Sequence, residues 1–138
     1  MSEIRLILDE NSISHNKNED IIYGNLYLKV GTRYFPDKNW NDYIYRILLT
    51  WAYNIINFNN GDLYFMDGAY DMSYTIKEEK IIIFIEEYGE FECILKEFLY
   101  DLITCLKGLK QYLQKNSLYA NGINRIEDCI CKIEKKLK

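Results

Sequence analysis

The chain has 138 residues, 49% of them hydrophobic and 28% charged, with a formal net charge of −4. That length suits one domain with a self-sufficient core, and that balance excludes the low-hydrophobicity, high-charge regime in which chains stay disordered. The acidic surplus argues against nucleic-acid binding, which rewards clustered Lys and Arg, and no apolar run approaches the roughly 20 residues of a membrane span.

The opening residues MSEIRLILDE carry no basic region followed by a long apolar run, so a cytoplasmic location is expected. In that compartment Cys93, Cys105, Cys129 and Cys131 are read as reduced thiols, small core hydrophobes in the main. Ile4, Leu6 and Leu8 and then Leu26, Leu28 and Val30 recur with period two and predict two N-terminal strands. Between them Asp9 to Asp20 is polar without periodicity and reads as a mobile loop, residues 9–20, in which His15 is solvated.

After Pro36, the only proline, the period becomes that of a helix, with Trp40, Tyr43, Ile44, Ile47, Leu48, Trp51, Ile55 and Phe58 recurring at three and four. Pro36 pushes Phe35 to extended geometry, Asp37 or Asn39 is placed to cap, and Asp42 falls in the first turn, where an acid suits the helix dipole. Trp40 is expected to pack at the helix start, with display as a surface anchor the alternative. Tyr45, Leu49, Ala52, Tyr53 and Ile56 lie opposite Trp40, Ile47 and Trp51, so a second layer must cover this helix, either another helix or another chain.

Period two returns from Asn59. Asp62 to Met66 and Tyr70 to Ile76 are predicted to flank an Asp67-Gly68 turn, and Lys80 to Glu86 carries the Ile81–Ile85 run of a central strand. Phe91 to Leu95 reads as a short strand in preference to helix. Phe98, Leu99, Leu102, Cys105, Leu106, Leu109 and Leu113 define a long amphipathic helix, and Asn121 to Leu137 a last one, with Asn124 and Glu127 as a cap pair. The lysines at 132, 135, 136 and 138 suit the negative end of that last helix. The sum is a single α+β domain, residues 1–138, with an antiparallel sheet of five to six strands and three helices packed mainly on one face.

No catalytic set is found: His15 has no nucleophile signature beside it, no phosphate-cradling glycine motif or hydrolase elbow occurs, and Cys129-x-Cys131 on a helix points its thiols about 200° apart, which prevents chelation by the pair. No metal and no cofactor is therefore expected. Asp62, Asp67 and Asp71 resemble a calcium loop only superficially, since Leu63 to Met66 occupy positions that would need oxygen ligands.

The segment EEYGEFE is more suggestive. Glu86, Glu87, Glu90 and Glu92 crowd one hairpin around Tyr88, with Glu78 and Glu79 on the preceding turn, and Asp67 and Asp71 of the Asp67-Gly68 hairpin complete the candidate binding set. Such a surface favours a basic protein partner by raising the on-rate and rejecting wrong partners, and 13 tyrosines exceed what a core of this size readily holds. The bland reading is that loop-tip acids simply keep a small protein soluble.

Tyr34-Phe35-Pro36 followed by Trp40, Asp42 and Trp51, the Asp67-Gly68 hairpin and the helix from Lys96 together resemble the immunity proteins encoded beside toxins of bacterial polymorphic and contact-dependent inhibition systems. The resemblance covers Val30 to Leu113, is sharpest at F-P-x-x-x-W-x-D, and brings no contact residues with it. It implies a cytoplasmic, non-catalytic protein that neutralises a cognate toxin domain, a basic nuclease if the acidic hairpin meets a phosphate groove. A homodimeric adaptor or scaffold is the alternative, and a small enzyme using paired carboxylates ranks third.

Overall fold

The computed structural model describes residues 3–68 and 71–138, and among them the protein is α+β, with two antiparallel four-stranded sheets and three helices. The first sheet holds β1 (Ile4–Asn16), β2 (Ile21–Val30), β3 (Arg33–Phe35) and β4 (Asn41–Tyr43). β2 pairs with β1 along one edge and with β3 and then β4 along the other, so residues 36–40 interrupt what is otherwise one edge strand. The second sheet is a meander of β5 (Asn60–Asp62), β6 (Met72–Lys77), β7 (Lys80–Ile85) and β8 (Gly89–Ile94). The two sheets join where the Glu3 N–H donates to the Glu92 carbonyl at 3.2 Å and the Glu92 N–H donates to Glu3 Oε1 at 3.0 Å. The expected five to six strands of one sheet are thus eight strands shared between two, because three-residue pieces such as β3, β4 and β5 are too short to leave a period in the sequence.

α1 (Ile44–Asn57) packs on β2, and α2 (Leu95–Lys115) on β1, β8 and β7. α3 (Ala120–Lys136) lies across α1 and α2 and inserts Ile126, Ile130 and Ile133, so the second layer that α1 requires is a helix of the same chain. Gly122 permits this approach: a Cβ there would sit 2.6 Å from the Tyr45 hydroxyl. A single buried cluster runs from Ile4 and Leu28 through Trp51 and Ile83 to Leu113 and Ile133. Across it Arg5 grips Asp101 with two bonds of 2.9 Å while the Leu6 N–H donates to the same carboxylate at 3.0 Å, which fastens β1 to α2. Fork-to-fork geometry makes this the strong kind of ion pair.

Several expectations change. Residues 9–20 are not a mobile loop: β1 continues to Asn16 through an irregularity between Asp9 and Ser14, and only 17–20 turn. Ile13 is buried, and the Ser12 hydroxyl takes the Asn25 N–H at 2.7 Å where the ladder is broken, so side-chain bonds hold a strand that has almost no apolar alternation. His15 is not solvated: it pairs with Asp20 at 2.8 Å with its ring edge-on to Tyr119. α1 begins at Ile44 rather than Trp40, since Asn41–Tyr43 pair with β2. Neither Asp37 nor Asn39 caps it; Asp37 closes its own turn by accepting the Trp40 N–H on its carbonyl at 3.2 Å. α3 has no side-chain cap, so Asn124 and Glu127 do not box it. The strand expected over Asp62–Met66 ends at Asp62, because Leu63 and Phe65 turn into the core beneath Trp51. Tyr70, expected to open the next strand, lies outside the described residues. Phe91 to Ile94 are strand, as expected, and Leu95 opens α2.

Candidate functional site

Two places collect the residues singled out in the sequence, and they differ in kind. The first is the junction ahead of α1. The Asp42 carboxylate is fully buried and accepts from Trp40 Nε1 at 3.0 Å, from the Met66 and Asp67 N–H groups at 3.0 and 3.1 Å, and from the Tyr43 N–H at 2.7 Å. It is therefore not a first-turn dipole acid of α1. A buried carboxylate needs such a set of donors to repay its desolvation. Trp40 is half-buried against the core, and Trp51, fully buried, donates Nε1 to the Tyr64 carbonyl at 2.9 Å. Phe35 packs edge-on to Phe65 and Tyr88, and the Phe35-Pro36 peptide is cis. The whole F-P-x-x-x-W-x-D segment thus builds scaffold, with Asp42 holding the 66–67 loop against β4.

The second place is the outer face of β6, β7 and β8. Strand register sets its rows. Ile81, Ile83 and Ile85 point into the core, so Lys80, Ile82 and Phe84 point out, opposite Ile94, Glu92 and Glu90 on β8 and Lys77, Thr75 and Ser73 on β6. Among the described residues this side is left open: Phe84 is 47% exposed and Ile94 37%, and Ile82 is half-buried between them in the row order. Next beyond the Phe84 row, Asp71 faces Glu86, whose N–H donates to the Asp71 carbonyl at 3.2 Å. The Asp71 carboxylate bonds to and repels the Glu86 side chain and holds its pKa above the usual value. At the other end Lys80 pairs with Glu92 at 3.2 Å.

The acidic residues of the hairpin are accordingly sorted. Asp71, Glu86, Glu90 and Glu92 share the outer face; Glu87, at φ 72°, is the exposed tip of the turn into β8. Tyr88 is turned inward. It donates its hydroxyl to the Tyr34 carbonyl at 3.2 Å and carries the Arg33 guanidinium 4.3 Å from its ring centre, so it belongs to the packing of β3. Asp67 gives its N–H to Asp42 and sits with the junction rather than the acidic face.

What sequence reading missed is the apolar centre of that face. The Ile81–Ile85 run reads as a central strand, which β7 is, but the run alone does not mark which side is open; Thr75 and Ser73 on one neighbour and Glu92 and Glu90 on the other lie beside Ile82 and Phe84. Those polar partners are the signal that the face is open.

Among the described residues no group of three or more His, Cys, Asp or Glu side chains is placed to hold a metal ion, and no helix is long and apolar enough to cross a membrane. Cys93 and Cys105 are buried, Cys129 is half-buried and Cys131 exposed; no two of them are joined in a disulfide, and burial pushes the Cys105 thiol up to about 12. No family model matches the chain, and neither does any curated protein or solved structure.

Proposed function

We propose that the protein is a non-catalytic binding module whose partner, a basic protein surface, lands on the outer face of β6–β8, and that its role is to neutralise a cognate toxin domain in the cytoplasm. One observation carries the reading: an uncovered sheet face with Phe84 and Ile82 at its centre and Asp71, Glu86 and Glu90 beside them. Apolar centre and charged rim are the anatomy of protein interfaces, with the aromatic anchor supplying most of the energy and the rim charges the rate and the choice of partner. The resemblance of residues 30–113 to immunity proteins names the class of partner, and a basic nuclease suits the charge.

The same face also favours a second reading, a homodimeric adaptor. Two of its acids, Asp71 and Glu86, lie at one end and its lysines, Lys77 and Lys80, at the other, where Lys80 also pairs with Glu92. A two-fold axis lying in the face and running across the strands would set each copy's lysines on the other's acids.

Calorimetric titration with the toxin domain encoded beside this gene tests the first reading, and sedimentation of the protein alone tests the second. One-to-one binding with loss of toxin activity is expected, weakened about a hundredfold by Phe84→Ala, a typical anchor effect. Unchanged affinity in that variant would remove the face from the account. A monodisperse dimer dissociated by Phe84→Ala, with no binding to the toxin domain, would put the adaptor reading in its place.

A further inference from the structure

The chain has four arginines, and two are engaged internally: Arg5 by Asp101, and Arg33 over the Tyr88 ring. The other two, Arg46 of α1 and Arg125 of α3, form no ion pair among the described residues, although the chain has more acids than bases. Both line the same groove, an open recess of about 930 Å³ between α1, the start of α3 and the turn into β2. Tyr43, Tyr45 and Tyr119 wall it, each half-buried, with Leu49 adding apolar surface. None of its lining residues belongs to the second sheet. Among the described residues Asp20 is the one carboxylate that lines it, and that group is held by His15 at 2.8 Å instead of by either guanidinium.

A recess of this size falls within the roughly 300–1,000 Å³ of small-molecule sites, which combine apolar and aromatic walls with a few placed polar groups. Two cations at the rim outnumber the one lining carboxylate, whose Oδ1 is turned to His15, and favour an anionic occupant. Arginine forks bind carboxylate or phosphate through paired N–H groups, and tyrosine walls favour a flat ring. From this geometry we infer that the groove binds a small aromatic anion, a planar ring bearing a carboxylate or a phosphate, with the ring against Tyr43 and the edge-packed Tyr45–Tyr119 pair and the anionic group on Arg46 and Arg125. The site is separate from the outer face of β6–β8, and nothing in the inference depends on that face binding a protein.

The test is a titration of the whole protein, followed by NMR of backbone and arginine Nε–H groups, with benzoate, phenyl phosphate, inorganic phosphate and phenol as probes. Benzoate or phenyl phosphate should saturate shifts at Arg46, Arg125 and Tyr119 and bind more tightly than inorganic phosphate or phenol; which of the two wins identifies the anionic group. The Arg46→Gln/Arg125→Gln variant changes two exposed side chains without an internal ion pair, so it should keep the fold and its melting temperature. Its affinity should fall at least tenfold, the loss expected when hydrogen bonds to a charged group are removed. Equal affinity in that variant, equal binding of inorganic phosphate, or shifts spread away from the groove would each overturn the inference.

Discussion

Asp42 and Glu86 are both carboxylates set beside aromatic side chains, and the molecule uses them in opposite ways. Asp42 is fully buried and surrounded by donors, three backbone N–H groups and one indole, and its charge is spent inside the fold. Glu86 is exposed, faces a second carboxylate, and sits one row from an uncovered phenylalanine. The junction around Asp42 is internally complete. The outer face of β6–β8 leaves apolar area and like charge unsatisfied, and that imbalance is what a partner can relieve.

The largest effect should come from the complete region. Asp42→Ala orphans donors from Trp40, Tyr43, Met66 and Asp67, and loss of a buried charged acceptor costs about 3 kcal/mol or more. Urea unfolding would register it as a lower midpoint, and an unshifted midpoint would mean that the 66–67 loop stands without this anchor. Phe84→Thr, on the open face, should cost only about 1 kcal/mol by the same measurement, since the side chain is nearly half exposed and threonine suits a strand. A loss equal to that of Asp42→Ala would erase the distinction between scaffold and surface.

A smaller effect concerns pH. Asp71 holds the Glu86 carboxyl above its ordinary 4.5, first by hydrogen bonding and then by charge. The folded protein thus keeps this proton at a pH where the unfolded chain has released it. Stability contributed by the group is greatest below 4.5 and falls as pH rises through the raised folded value, levelling off beyond it. Glu86→Gln should flatten that segment of the stability curve, and an identical slope in wild type and variant would show that the two carboxyls do not interact. A cation supplied by a partner would displace the proton, so basic partners should bind more tightly as pH rises over the same interval.

How far each region was legible in the sequence follows from the range of its interactions. β7 carries an unbroken apolar run and the two long helices their own period, and both are legible in the sequence: Leu102, Leu106 and Leu109 are fully buried on the expected stripe of α2. The F-P-x-x-x-W-x-D segment reads as structural in the sequence, but the sequence assigns Asp42 to the helix dipole because its partners Met66 and Asp67 lie 24 and 25 residues away. β1 beyond Asp9 reads as a loop in the sequence because its hold on β2 comes from Ser12 and Ile13, single residues that leave no period. The acids of the candidate face were visible; its centre was not, because exposure of Ile82 and Phe84 is a property of the neighbouring strands and of helices placed on the other side. Arg46 and Arg125 stand far apart in the chain and share a groove only once α3 has crossed α1.

The isoleucines of β7 and β8 offer the most direct test of the central claim that the outer face of β6–β8 receives the partner. With Ile δ1-methyl groups labelled, Ile82 and Ile94 report the outer face, while Ile81, Ile83 and Ile85 report the buried side of the same sheet. Titrating in the adjacent toxin domain should shift the Ile82 and Ile94 methyl resonances and leave those of Ile81, Ile83 and Ile85 in place. Unmoved outer methyls in a complex that demonstrably forms would contradict the account and send the partner to another surface.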